Sequence, residues 1–125
     1  MIISKKTKHT LKLVKEPSVR ISQVGHFVFN KAAVDLLEIE DASKDGVIFG
    51  YDNNEAFVGY SNENDAYKGG FKSGESSFRF GSKYEAEQIL SSFNIKEKKA
   101  CLIVSTDPKD IKVYDGYKLY KLKHQ

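Results

Sequence analysis

One pattern occurs twice in this 125-residue chain and limits what it can fold into. Residues 25–52 read GHFVFNKAAVDLLEIEDASKDGVIFGYD, and residues 78–107 read FRFGSKYEAEQILSSFNIKEKKACLIVSTD. Each is an F-x-F strand, a polar cap, an amphipathic helix, a polar turn and an apolar strand ending near an aspartate. Two strand-helix-strand units in one short chain predict a pseudo-symmetric α+β domain.

The local chemistry of the first unit supports those elements. Phe27 and Phe29 alternate with His26 and Val28, which suits a strand with one aromatic face. Asn30 stands at a helix N-cap, and Phe29 and Val34 fall at the positions of a hydrophobic staple. Ala33, Val34 and Leu37 form the helix's apolar stripe, and a polar exit ending at Gly46 leads into the strand Val47-Ile48-Phe49. In the second unit Ser82 and Glu85 have capping-box spacing, Ala86, Ile89, Leu90 and Phe93 recur at helical spacing, and Asn94 suits a left-handed C-terminal position.

Around these units the chain reads as strands and tight turns. Thr10–Lys15 (TLKLVK) alternates as a first strand, and Ser18–Gln23 as a second with Val19 and Ile21 inward and Arg20 and Ser22 outward. Asp52-Asn53-Asn54 marks a hairpin between Val47–Tyr51 and Ala56–Tyr60. Residues 67–81, YKGGFKSGESSFRFG, read as a hairpin with strands near Gly70–Lys72 and Ser77–Phe80, and Asp115-Gly116 joins Ile111–Tyr114 to Tyr117–Leu122. The expectation is about nine strands and two helices in a single domain, residues 1–125, with curved antiparallel sheet and both helices on one face. A pseudo-repeat would cover about 19–60 and 70–122.

Composition excludes several classes. A hydrophobic fraction of 40% and a charged fraction of 30% are those of a globular protein that buries a core without metal or disulfide. No apolar run approaches the ~20 residues of a membrane span, and MIISKKTKHT has no apolar signal core, so no membrane association and a cytoplasmic location are expected. The single Cys101 lies in the apolar run Ala100–Val104 and reads as a buried packing thiol. His9, His26 and His124 are scattered, no glycine-rich stretch continues into GK[ST], and Glu38, Glu40, Asp41 and Asp45 lack the ligand spacing of a calcium loop. The chain therefore reads as non-catalytic, with no cofactor and no metal.

What remains is an uneven charge on a net of +3. Basic residues crowd the segment before Lys31 and again after Ile111, whereas acids dominate from Val34 to Asp65. Aromatic and basic residues also interleave on strands, the arrangement by which single-stranded nucleic acid is held: bases stack on rings for about 1–3 kcal/mol each and cations track phosphates. The candidates are Lys12 and Arg20 on the early strands, Tyr67, Lys68, Phe71, Lys72 and Arg79 in the central hairpin, and Tyr117, Lys118, Tyr120 and Lys121 on the last.

Two resemblances bear on this. The strands-then-helix order, occurring twice in one small basic chain, resembles the Whirly, PUR-repeat and PC4-like group, which implies single-stranded DNA or RNA binding on the sheet side away from the helices. Residues 19–51 are similar to the AbrB/MazE swapped-hairpin pattern through Phe27–Phe29, Ala32–Leu37, Ile39 and Asp45-Gly46, with Asn30 where that family commonly has proline. That likeness implies a duplex-DNA regulator. The expected partner is single-stranded nucleic acid, with a homodimer or higher oligomer formed through free sheet edges. The competing class is a structural or protein-interaction accessory factor of phage or mobile-element type.

Overall fold

The two F-x-F strands lie side by side. A computed structural model describes residues 16–71 and 77–124. In it, β1 (Ser18–Ser22) and β2 (His26–Phe29) form a hairpin, and β2 also pairs antiparallel with β6 (Phe78–Gly81) in the register Phe27↔Phe80 and Phe29↔Phe78. The expected strand Thr10–Lys15 and the residues Lys12 and Lys72 lie outside the described residues.

Each F-x-F strand is followed by its helix. In α1 (Lys31–Leu37) the Asn30 side chain accepts a hydrogen bond from the Ala33 N–H at 2.9 Å, and Glu38 ends the helix in the left-handed region at φ 56°. In α2 (Lys83–Ser92) the Ser82 hydroxyl accepts from the Glu85 N–H at 3.2 Å, and Asn94 takes the expected left-handed turn at φ 56°. The reciprocal half of the capping box is absent: the Ser82 N–H donates to the Gly25 carbonyl at 2.8 Å, and the Glu85 carboxylate accepts the hydroxyls of Tyr51 at 2.6 Å and Tyr67 at 2.7 Å. Tertiary partners take both groups away from the cap.

The remaining strands are β3 (Gly46–Asp52), β4 (Glu55–Ser61), β5 (Gly70–Phe71), β7 (Lys99–Val104), β8 (Ile111–Tyr114) and β9 (Tyr117–His124), with a 3-10 turn at Pro108–Asp110. All pairings are antiparallel, in the order β3-β4-β9-β7-β1-β2-β6-β5, with β8 on β9. Both two-residue turns form as expected, with φ of 51° and 62° at Asn53 and Asn54 and of 53° and 85° at Asp115 and Gly116.

The sheet curls until its ends meet. Just before β5, the Tyr67 N–H donates to Val47 O at 2.8 Å and the Val47 N–H donates to Tyr67 O at 3.0 Å. Gly46 permits the approach, since a Cβ there would stand 2.5 Å from the Tyr67 carbonyl oxygen. Strand pairings match across the two halves. The hairpin β1–β2 corresponds to β5–β6, β3–β4 corresponds to β7–β9, and β1–β7 corresponds to the Tyr67–Val47 bridge. The pairs β2–β6 and β4–β9 join one set to the other.

Alternation fills the inside of the curl. Val19, Phe27, Phe29 and Phe78 are 0% exposed and Ile21 is 1% exposed. Each such phenylalanine contributes about 1.5–3 kcal/mol on burial. Phe80 stacks on Phe27 at 4.8 Å and on Tyr67 at 5.3 Å, closing the aromatic centre. Ala33, Val34 and Leu37 of α1 and Ala86, Ile89 and Leu90 of α2 belong to this same cluster. Cys101 does not: it is exposed, correcting the expectation of a packed thiol. Leu102 and Val104 take the inward positions of β7, and the register that pairs Cys101 with Arg20 turns the cysteine outward.

Candidate nucleic-acid interface

The positions of β1, β2, β6 and β7 that alternate with the core line up across the strands. Registers place Gly70, Arg79, Val28, Arg20 and Cys101 in one lateral row, with Ser18, Ile103 and Lys123 in a neighbouring row and Ser22 paired with Lys99. Arg20, Lys99 and Cys101 are exposed, and Val28 and Arg79 are half-buried. No outward position of these four strands is an Asp or Glu: they read Ser18, Arg20 and Ser22; His26 and Val28; Arg79 and Gly81; Lys99, Cys101 and Ile103. A hollow of about 450 Å3 lies among Ser18, Arg20, Val28, Asn30, Ser77 and Cys101.

The other expected residues divide by sheet face. Tyr67 is stacked on Phe80 and held by Glu85; burial first, and then the Glu85 hydrogen bond, push its hydroxyl above the usual tyrosine range. Phe71 sits edge-on to Phe78 at 5.7 Å and packs against the core. Tyr120 is 7% exposed and belongs to the core, with the Lys118 ammonium 5.5 Å from its ring centroid. These three rings pack inside or against the core, away from the basic row. Lys68 donates to the Asn62 carbonyl at 3.5 Å.

Lys121 points outward from β9 but forms an ion pair with Glu55, whose hydrogen bond raises the lysine's pKa. Farther along the strand, Lys123 meets Asp110 at 2.7 Å, and the same Asp110 oxygen accepts the Ser105 hydroxyl at 2.7 Å. Lys123 first, and Ser105 second, hold that carboxyl below its ordinary range.

Tyr117 opens onto a second hollow, on the outward side of β3, β4, β9 and β8. This one is about 480 Å3 and is lined by Ile48, Gly50, Phe57, Leu119, Tyr114 and Tyr117, with Lys112 and Asp52 at its border. The Lys112 ammonium lies 2.8 Å from the Asp52 carboxylate and 5.1 Å from the centroid of the Phe57 ring. Phe57 and Leu119 are buried although they face away from the main core. Gly59 makes this possible, because a Cβ there would stand 2.8 Å from Leu119 Cδ2 and 2.6 Å from the Lys118 carbonyl oxygen.

Lys99, Lys112 and Tyr114 were not among the residues expected from sequence. One signal was available for Tyr114: a two-residue turn at Asp115-Gly116 makes residues 114 and 117 cross-strand partners, so Tyr117 implies its neighbour.

The acidic loop is engaged in its own folding. One Asp45 oxygen accepts the N–H groups of Glu40 at 2.9 Å and Asp41 at 3.0 Å, and the other accepts the Tyr60 hydroxyl at 2.6 Å. The Tyr60 bond is the chief cause that lowers the Asp45 pKa. Among the described residues no group of three or more His, Cys, Asp or Glu could hold a metal ion, and no helix is long and apolar enough to cross a membrane.

Compared with protein-family models, with curated proteins and with solved structures, the chain has no match.

Proposed function

We propose that this chain is a non-catalytic binder of single-stranded nucleic acid that uses the outward face of its curled sheet. The observation that carries the reading is the row Cys101–Arg20–Val28–Arg79 with Lys99 beside it, a set of outward strand positions that includes cations and no Asp or Glu. Both helices bury their apolar stripes in the one inner core, which favours an arrangement with the two of them on one side of the sheet and the outward face left for a ligand. Cations on such a face track phosphates, and each phosphate neutralised on a single strand lowers the slope of log K against log salt by about 0.7. Arg20 and Lys99, the two exposed cations of this face, together correspond to a slope of about −1.4. The matching strand pairings support an internal duplication over about 19–60 and 70–122.

The test is anisotropy of labelled single-stranded DNA, single-stranded RNA and duplex DNA at two salt concentrations. Salt-sensitive preference for single strands supports the reading, and Cys101, the single cysteine, should then be protected from alkylation by bound strand. No binding to any of the three at low salt would sink it and favour a protein partner.

A second reading, the swapped-hairpin regulator of duplex DNA, has one observation in its favour. The two units interleave, β1 pairing with β7 and Tyr67 with Val47, instead of standing side by side. Duplex preference in the same titration selects it. Self-association through the outer edge of β8, with Val113 75% and Tyr114 74% exposed, is tested by sedimentation.

A further inference from the structure

The hollow bordered by Lys112 and Asp52 is built differently from the basic row, and its chemistry suits a flat ligand. Its floor is the apolar surface of Ile48, Phe57 and Leu119, and its rim carries two tyrosines, Tyr114 and Tyr117, paired across the β8–β9 turn. Tyr114 is 74% exposed, so its ring is open to a partner. Gly50 keeps the space clear: a Cβ there would already stand 3.3 Å from Leu119 Cδ1. At about 480 Å3 the hollow is in the size range of small-ligand sites, which bind through apolar walls and a few placed polar groups. The Lys112 ammonium supplies one such group, held at the border by Asp52 at 2.8 Å.

Both hollows open on the outward side of the same sheet, and β9 runs between them. From Leu119 to Lys123 is four residues of strand, about 13 Å; Ile103 and Ser18 lie level with Lys123 across β7 and β1 at about 4.8 Å a strand, and Arg20 is two residues farther along β1, about 7 Å more. A single strand laid across Arg20 would need only a few nucleotides to arrive at Tyr114, within the site sizes of about 4–16 nucleotides of such binders.

We infer that the hollow between Tyr114 and Leu119 holds an unpaired nucleobase of a strand whose phosphates lie on the Arg20 row, with Lys112 exchanging Asp52 for the phosphate that accompanies that base. The inference rests on the single-strand reading above. It divides the work on the outward face: the β1, β2, β6 and β7 half attracts the backbone, and the β3, β4, β9 and β8 half takes a base.

The experiment compares wild type with Tyr114→Ala, Gly50→Leu and Arg20→Ala in binding a labelled oligothymidylate of about 10 nucleotides, a length within the range of such sites. Loss of one base-stacking ring is expected to weaken binding about 5- to 150-fold, and filling the hollow in Gly50→Leu should do the same. Because Gly50→Leu could disturb the strand, Tyr114→Trp provides a separate readout. The chain has no tryptophan of its own, and the emission should be quenched when strand is added. If Tyr114→Ala binds within about twofold of wild type and the Tyr114→Trp emission is unchanged at saturation, while Arg20→Ala binds weakly, the base site is wrong and the basic row stands. If wild type itself binds no single strand, the parent reading has failed and this one falls with it.

Discussion

The two halves of the sheet's outward face follow the same alternation and yet come to different ends. On β1, β2, β6 and β7 the outward positions include Arg20, Lys99, Val28, Arg79 and Cys101, with a hollow of about 450 Å3 among them. On β3, β4, β8 and β9 they include half-buried Ile48, Phe57 and Leu119 buried over glycines, and two lysines matched by acids, Lys112 with Asp52 and Lys121 with Glu55. The first half spends its alternation on one core only. In the second half, β4 is buried along most of its length on both sides, as its nearly unbroken apolar run AFVGY implies. Outward is therefore a register position; whether it also means exposed depends on what the curl brings over it.

Several substitutions would break or sharpen that contrast. The largest effect belongs to neighbours on β2: Phe27→Ala, fully buried, is expected to cost about 3–5 kcal/mol in a denaturant melt, whereas Val28→Ala on the opposite side should cost much less. Next comes the comparison of the two outward halves. Leu119→Ala should cost about 2–4 kcal/mol, and Cys101→Ser should stay within about 0.5 kcal/mol. Equal costs would erase the distinction between a second small core and an open face.

A smaller effect sits at the junction of the halves, where Asp110 bonds Ser105 and Lys123. Its carboxyl titrates below its usual 3.8 in the folded chain. Stability from this group is thus fully present above that pH and is lost as pH falls through the folded-state value. Thermal melts of wild type and Asp110→Asn should differ at neutral pH and converge under acid; a constant gap would mean the ion pair with Lys123 is not the source. The smallest structural effect is expected for Arg20→Ala: no shift in melting temperature, but a salt slope shallower by about 0.7 in single-strand binding.

Much of this arrangement was legible in the residues. Asn30 and Ser82 announced the helix starts through their capping side chains, Asn53-Asn54 and Asp115-Gly116 announced the hairpins through their tolerance of positive φ, and the F-x-F alternation announced the aromatic centre. The candidate site was legible only in part. Arg20 and Tyr117 took the outward positions their pattern suggested, but Tyr67, Phe71 and Tyr120 turned to the core, because an aromatic ring on a strand suits either side equally. Cys101 failed in the opposite sense: an apolar neighbourhood in sequence did not fix its parity on β7.

Among the described residues the sequence by itself determined the helices, their N-cap side chains and the tight turns, since each depends on groups within a few residues of one another. Tertiary structure alone decided which strands distant in sequence became neighbours, and with them where their side chains met partners. The pairing of β1 with β7 spans most of the chain, the Tyr67–Val47 bridge joins the two ends of the sheet, and Glu85 gave up its cap to two distant tyrosines. Contacts of that kind are set by the closing of the curl. No local propensity encodes them, so the separation into a basic row and an aromatic hollow emerges only once the sheet has bent around its core.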